Sequence, residues 1–330
     1  MKDRPITSHD VARLAGVSQS AVSRAFTPDA SISPALREKV RAVAARLGYQ
    51  PNLLPRMMIK GRSGIVAIVV GGGYNPFHAA TLEAFSHALQ QAGKRIMLVQ
   101  AQSDRMLDEM VGDLIGYRVD GVVTALSILS PKAADAITAH RIPVVTLNSG
   151  ITSTSIHVVG IDNEGAGRAA ANHMLARGAR RFSYVGADSV ASRAREKGYR
   201  QAIASAGLSP PLCLSGTLDH GGGMTAGRIM LQASDRSDAI FCVNDLTAIG
   251  VMDVWRLEAG LSFPGDAQII GFDDIPASAW PGYALTTINQ NVDQMATCAI
   301  DLIENPREGP ADPHLVDFRV IVRSTTGTSF

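Results

Sequence analysis

Ser18, Gln19 and Ser20 stand side by side near the N-terminus, and Arg24 follows one helical turn later. An amide side chain matches the adenine edge in a DNA major groove, and a guanidinium matches the guanine edge. At the start of a helix these residues would reach bases. Ser18, Ser23 and Ser33, with the N–H groups of helix N-termini, would hold phosphates. Catalytic chemistry has no comparable set. The 330 residues contain no GxSxG, HExxH or P-loop motif. "GGGYNPF" is glycine-rich but lacks GxGxxG spacing, and Pro76 stands where a phosphate-binding helix would begin. Asp273 and Asp274 are adjacent, so their carboxylates need not converge as an acid/base pair. The eight histidines show no metal-ligand spacing, and Cys213, Cys242 and Cys298 form no CxxC pair. The chain reads as a binding protein with no cofactor and no metal, not as an enzyme.

Short helices must position the first set. Thr7 caps a helix, with Asp10 at capping-box spacing, and Val11, Leu14 and Ala15 form its apolar stripe. Gly16 ends it. Ser18 caps a second helix whose Ala21, Val22, Ala25 and Phe26 face inward. Ser33 and Pro34 open a third, which carries Leu36, Val40, Val43, Ala44 and Leu47 and stops near Gly48. Two helices with a glycine at the bend and polar residues opening the second describe a helix-turn-helix. Ala12 lets the helices approach, and Val22 fills the gap between them. Charge agrees: residues 1–62 hold eleven Lys/Arg against four Asp/Glu, and the remainder holds twenty against twenty-six. A basic head on an acidic body points to a polyanion as the head's partner. A plain helical hairpin with a solvated polar face is the competing reading. Such a small unit is marginal alone, which explains its attachment to a large body.

Residues 51–63, with Pro51, Pro55 and a basic end, read as a linker. From Gly64 the rhythm changes. "GIVAIVV", "RIMLVQ", "DGVVTAL", "PVVTLN", "SIHVVGID", "RFSYVG", "AIFCVND" and "QIIGFDD" alternate with helix-length stretches. That alternation means parallel sheets, and it restarts near residue 162, which gives two open α/β sheets with a cleft. Such sheets bind ligands beyond the C-terminal ends of their strands. The candidates there are Tyr74, Asn75 and Phe77 after the first run, Asn148, Arg195, Asn244 and Asp273. Arginine would clamp a hydroxyl pair or carboxylate, Asp273 would accept from hydroxyls or an amine, and Tyr74 and Phe77 would stack on a ring face. Asp245 and Asp274 read better as turn residues satisfied by backbone, and Arg193 as the structural partner of an acid.

"ITSHDVARLAGVSQSAVSRAF" and "ISPALREKVRAVAARLGYQPN", followed by "VTLNS", "GIDNEGAG", "VNDLTAIGVM", "IIGFDD" and "LTTINQ", resemble the lactose-repressor (LacI/GalR) family of bacterial transcription regulators in order and spacing, over essentially the whole chain. The resemblance implies a small all-α helix-turn-helix head over 1–50 and a hinge over 51–63. It implies a periplasmic-binding-protein-like core of two doubly wound parallel-sheet subdomains over 64–330. The first subdomain would span about 64–161 plus 290–319, the second about 162–289 plus 320–330. By the same resemblance Gln19, Ser20 and Arg24 read bases, and Thr7, Ser18, Ser23 and Ser33 complete the DNA-facing set. Asn52 caps a hinge helix that folds on operator DNA, where Met58 is the minor-groove wedge and Arg56, Lys60 and Arg62 follow phosphates. Pro55 departs from the family's usual alanine. Arg195, Asn244 and Asp273 line the effector pocket. The family's tryptophan-bearing loop corresponds loosely to "TLDHGGGM", which has no tryptophan and extra glycines, and where Asp219 and His220 are candidate contacts only.

The implied protein is a homodimer that binds near-palindromic double-stranded operator DNA under control of a small-molecule effector, a sugar or sugar derivative. A cytoplasmic location without membrane contact is expected. The N-terminus lacks a signal-peptide pattern, and the longest apolar run is only strand-length. The alternative is a solute-binding protein of the same core fold with no DNA role; it would need an export signal and no basic head.

Overall fold

The computed structural model describes residues 5–27, 30–51, 62–71, 75–101, 104–124, 135–137, 139–148, 156–306 and 312–327. The chain divides into two compact units, Met1–Ser63 and Gly64–Phe330.

The first unit consists of α1 (Ser8–Ala15), α2 (Gln19–Ala25) and α3 (Pro34–Leu47). Asp10 accepts from the Thr7 N–H at 3.1 Å and from its hydroxyl at 2.8 Å, which closes the start of α1. Ser18 and Ser33 each accept an N–H from the first turn of the helix they cap, at 3.2 and 3.3 Å. Gly16 ends α1 at φ 64°, a conformation glycine adopts without steric cost. Val11, Ala12, Ala15, Val22, Ala25, Val40 and Ala44 form the core. Leu14 departs from the expected stripe, being 50% exposed. At 100° per residue Val11, Ala15 and Ala12 share one arc, and Leu14 falls outside it on the far side of Val11. Phe26 sits just past α2, half-buried, with its ring edge-on to Tyr49 at 5.9 Å.

The second unit is an α/β body. Its strands are β1 (Ile65–Val70), β2 (Arg95–Gln100), β3 (Gly121–Thr124), β4 (Val144–Leu147), β5 (Ile156–Ile161), β6 (Phe182–Gly186), β7 (Leu212–Ser215), β8 (Ala239–Cys242), β9 (Gln268–Ile270), β10 (Thr287–Asn289), β11 (His314–Val316) and β12 (Arg319–Ile321). Its helices are α4 (Pro76–Gln91), α5 (Asp104–Gly116), α6 (Asn163–Leu175), α7 (Val190–Ser205), α8 (His220–Gln232), α9 (Asp245–Ala259) and α10 (Val292–Glu304). One parallel sheet runs β11-β5-β4-β3-β1-β2, a second runs β7-β6-β8-β9, and β10 pairs antiparallel with β12. All eight apolar runs become strands of the two parallel sheets, so the expected fold class holds. The unforeseen strands are β7, β10, β11 and β12. β7 is an edge strand with exposed ends, and the other three have three residues each, too few for a readable alternation. After β10 the chain returns through α10, which packs on α4, and β11 joins β5 at the edge of the first sheet. Among the described residues no helix is long and apolar enough to cross a membrane.

The α6–α7 pair crosses with backbones in contact. A Cβ on Gly167 would overlap the Arg195 carbonyl, and one on Gly198 would overlap the Glu164 carbonyl. This crossing fixes the backbone that carries Arg195. Gly167→Ala is therefore expected to lose about 1–3 kcal/mol, the usual range for overpacking. Gly112→Ala, in open space on α5, is expected to gain about 0.5–1 kcal/mol from helix propensity. Urea denaturation followed by circular dichroism reads both.

Candidate functional site

On α2, burial of Ala21, Val22 and Ala25 leaves Ser18, Gln19, Ser20, Ser23 and Arg24 exposed. Their contacts are local. Gln19 Nε2 donates to Ser8 Oγ at 2.8 Å, Arg24 Nε to the Ser20 carbonyl at 3.3 Å, and the Ser18 and Ser20 hydroxyls lie 2.9 Å apart. These bonds exchange readily for bonds to a base edge, because none is buried. Thr7 and Ser33 are exposed at the starts of α1 and α3. Asn52, Arg56, Met58, Pro55, Lys60 and Tyr74 lie outside the described residues.

In the body, Arg195 is the most constrained of the expected residues. Tyr184 donates its hydroxyl to the Ser192 carbonyl at 3.0 Å, and Ser192 Oγ accepts from the Ala187 N–H at 3.0 Å, which fixes the first turn of α7. One turn on, the Arg195 guanidinium lies 3.3 Å from the centroid of the Phe272 ring. Nε donates to Asn163 Oδ1 at 2.8 Å and Nη1 to the Val243 carbonyl at 2.7 Å. Nη2 has no protein acceptor among the described residues. Burial lowers the Arg195 pKa, and the neighbouring Asp273 carboxylate opposes that shift.

Asp273 follows β9 at φ 103°, a region costly for a non-glycine residue and typical of constrained sites. Gln290, only 2% exposed, joins it to the other sheet. Gln290 Nε2 donates to Asp273 Oδ1 at 2.5 Å, while Gln290 Oε1 accepts from Asn148 Nδ2 at 2.7 Å. Asn148 Oδ1 in turn accepts from the Ile161 N–H at 3.3 Å. Desolvation raises the Asp273 pKa to about 7 although Arg195 and the Gln290 bond both favour the charged form. No direct ion pair links Arg195 to Asp273 among the described residues. The structure thus joins Asp273 to Asn148 through Gln290 in one hydrogen-bonded chain, with Arg195 bonded separately and acting on Asp273 only through its charge.

Other candidates bond to nearby backbone groups or to structural side-chain partners. Asn244 Oδ1 accepts from the Thr247 N–H at 2.8 Å, and its Nδ2 donates to the Leu218 carbonyl at 2.9 Å, so both ends of the amide are engaged. Asn75 caps α4, accepting from the Phe77 N–H at 3.0 Å. Phe77 is half-buried against the hydrophobic cluster of the second sheet, although α4 packs on the first. Asp219 caps α8, and His220 Nε2 lies 2.8 Å from Asp253 Oδ2. Asp245 is fully buried between the Thr287 hydroxyl at 2.6 Å and the Ile275 N–H at 2.8 Å. Asp274 pairs with Arg323 at 2.7 Å, and Arg193 pairs with Asp188. Gln290 and Asn163 were not singled out from sequence. The signal for both lay in "LTTINQ" and "GIDNEGAG", as the last polar residue of a strand end and the first of a helix.

The raised Asp273 pKa has a definite consequence for stability. Its native value near 7 exceeds the unfolded value of 3.8, so the unfolded state binds fewer protons between these limits. Stability falls as pH rises through that window. Asp245, also raised by burial, acts in the same direction. Asp273→Asn removes one share of the loss. The variant is expected to exceed the parent by roughly 2 kcal/mol at pH 8, with the advantage shrinking towards pH 5, in urea titrations at both pH values.

Residues 7–52 match the family described as bacterial regulatory proteins, lacI family, and residues 171–326 match a periplasmic binding protein-like domain. The HTH-type transcriptional regulator CelR of Thermobifida fusca is 29% identical over 315 residues, 91% of this chain and 92% of that protein. The HTH-type transcriptional regulator GntR of Pseudomonas aeruginosa is 31% identical over 277 residues, 82% of this chain and 80% of that protein. The solved structure of a transcriptional regulator CelR–cellobiose complex is similar with a TM-score of 0.71 at 29% identity, covering 98% of this chain and 100% of the other. The lac repressor dimer bound to operator and the anti-inducer ONPF shares the fold, with a TM-score of 0.86 at 23% identity over 98% and 100% of the two chains. A solute-binding role alone leaves residues 7–52 without a purpose. Identity of 31% sustained over 80% or more of both proteins reflects common descent, and the chain belongs to the lacI family of bacterial regulatory proteins, as a DNA-binding transcriptional regulator and not an enzyme.

Proposed function

We propose that this regulator acts as a homodimer in the cytoplasm, and that a sugar or sugar derivative bound at the C-terminal ends of the two sheets sets its operator affinity. The observation that carries this reading is that Arg195 and Asp273, a buried cation and a buried carboxylate, influence each other's charge without a direct bond between them. Among the described residues Arg195 Nη2 is left as a donor, Asp273 Oδ2 is left as an acceptor, and no direct ion pair joins the two. A ring with neighbouring hydroxyls supplies an acceptor to one and a donor to the other. Asn148, tied to Asp273 through Gln290, lets the same ligand be felt by the first sheet. A ligand that engages Asp273 competes with Gln290 or reinforces it, and so favours one arrangement of the sheets over another, as control of affinity requires. The cellobiose complex of CelR supports a sugar as the ligand class. On the head, Gln19, Ser20 and Arg24 are the proposed base readers, with Thr7, Ser18, Ser23 and Ser33 on the phosphates.

Two measurements test the reading. Selection from a randomised duplex pool is expected to yield an inverted repeat, bound with steeply falling affinity as salt rises. Gln19→Ala or Arg24→Ala is expected to weaken binding by about 5- to 150-fold, the range for one bidentate base contact. Unchanged affinity in both variants refutes the assigned reading surface. In a thermal-shift panel of mono- and disaccharides, a ligand at a hundredfold excess over its Kd adds about 2.7 kcal/mol. Arg195→Ala is expected to abolish that shift. Binding is also expected to tighten from pH 6 to pH 8, because a hydroxyl donor favours ionised Asp273. A panel without any hit, or a shift that survives Arg195→Ala, contradicts the proposed ligand site.

A further inference from the structure

Gly64 is the first residue of the body, and two neighbouring segments hold it. Its N–H donates to Asp120 Oδ2 at 3.2 Å, and its carbonyl accepts from the Arg95 N–H at 2.8 Å. Its φ of 72° lies in the left-handed region, where a side chain brings strain. Asp120 also pairs with Lys94 Nζ at 2.8 Å, and the same ammonium lies 3.8 Å from Glu304 Oε1. The side chains of Lys94 and Asp120 are only 11% and 5% exposed.

Glu304 is the last residue of α10. The preceding Ile303 fills the space over Gly121, where a Cβ would overlap its side chain. The final turn of α10 thus rests on the start of β3. Through Lys94 and Asp120 it also reaches the residue at which the chain of the N-terminal unit enters the body. The other end of α10 begins two residues after Gln290, the bridge to Asp273. Between these ends Met295, Ala296, Ala299, Ile300, Leu302 and Ile303 are buried, and the helix packs on α4 and on strands β3 to β5. At 1.5 Å per residue it is a rod about 20 Å long.

We propose that α10 is the strut between the effector cleft and the junction at Gly64, with the Lys94–Asp120–Glu304 cluster as its positioning end. The proposal rests on the cleft reading given above. A close-packed helix shifts as a unit and does not bend locally. A change at Gln290 therefore moves Ile303 and Glu304, and with them Lys94, Asp120 and Gly64. The nearly buried Lys94–Asp120 pair, with the half-exposed Glu304 carboxylate 3.8 Å from the ammonium, is suited to this task, since such a pair fixes geometry more than it adds stability.

Hydrogen exchange by mass spectrometry on the full-length protein, without ligand or DNA, tests the strut. Gln290→Ala is expected to speed exchange at least threefold in the distant segments 93–97 and 118–122. Lys94→Met is expected to do the same, and the double variant to show no further increase there. Lys94→Arg should restore parental rates, which mere loss of packing does not allow. Arg228→Ala, which removes the remote exposed pair with Glu258, should leave both segments unchanged. Parental rates in Gln290→Ala, or effects that multiply in the double variant, overturn the proposal. The readout needs neither sugar nor operator, so failure of the ligand reading is seen in the thermal-shift panel and failure of the strut is seen here.

Discussion

A buried amide adds a directional link between the two halves of the body, which also share one apolar cluster. Gln290 donates to Asp273 beyond β9 and accepts from Asn148 beyond β4. Each parallel sheet is complete without the other. Apolar contacts, such as those of the cluster that holds Ile68 and Phe85 together with Tyr184 and Phe241, are non-directional and leave the choice of tilt to directional bonds. The amide has two partners on two sheets, and it is almost fully buried. Leaving either partner unmatched costs about 1–3 kcal/mol, so intermediate geometries are disfavoured and the bridge is made or broken as a unit. That property turns a small change in hydrogen bonding into a change of arrangement, and a ligand that touches Asp273 acts on it directly.

Around this bridge the polar residues at the strand ends divide into two kinds. Arg195 is held by stacking on Phe272, by two hydrogen bonds and by the tight α6–α7 crossing, so little order remains to be imposed when a ligand arrives. Asp273 has a costly backbone angle and a pKa raised by burial, both of which suit the ligand contact proposed for it. Asn75, Asn244, Asp219, Asp245 and Asp274 instead satisfy backbone groups or neighbouring side chains and keep the helix starts where they are. The raised pKa values of Asp245 and Asp273 lie on opposite sides of this division. Asp245 is enclosed by fixed donors, whereas Asp273 keeps one oxygen without a protein partner among the described residues.

The sequence made some of this legible and not the rest, for physical reasons. Each helix start in the head is marked by a side chain that caps it, and Gly16 has a backbone angle that explains its presence, so α1 to α3 could be read closely. Leu14 misled because three or four apolar positions on an eight-residue helix define a stripe poorly. In the body, buried strands announce themselves as apolar runs, whereas β7, β10, β11 and β12 carry no such mark. Being at a strand end was enough to nominate Asn148, Arg195, Asn244 and Asp273, but it could not separate Asn244, spent on a cap and a loop, from Asp273. That distinction depends on which donors lie nearby in space, and Gln290 is 17 residues from Asp273 and 142 from Asn148 along the chain.

The bridge is tested most directly by measuring the distance between the two sheets in solution. Spin labels at Glu83→Cys on α4 and Ala204→Cys on α7, both exposed positions, report on the helices that cover each sheet, in a background with Cys213 and Cys298 replaced by serine. Pulsed electron–electron resonance is expected to give one narrow distance distribution for the parent and a broadened or displaced one for Gln290→Ala. Identical narrow distributions in the two proteins would mean that the chain connections and the shared apolar cluster set the sheet geometry, and that the amide bridge does not.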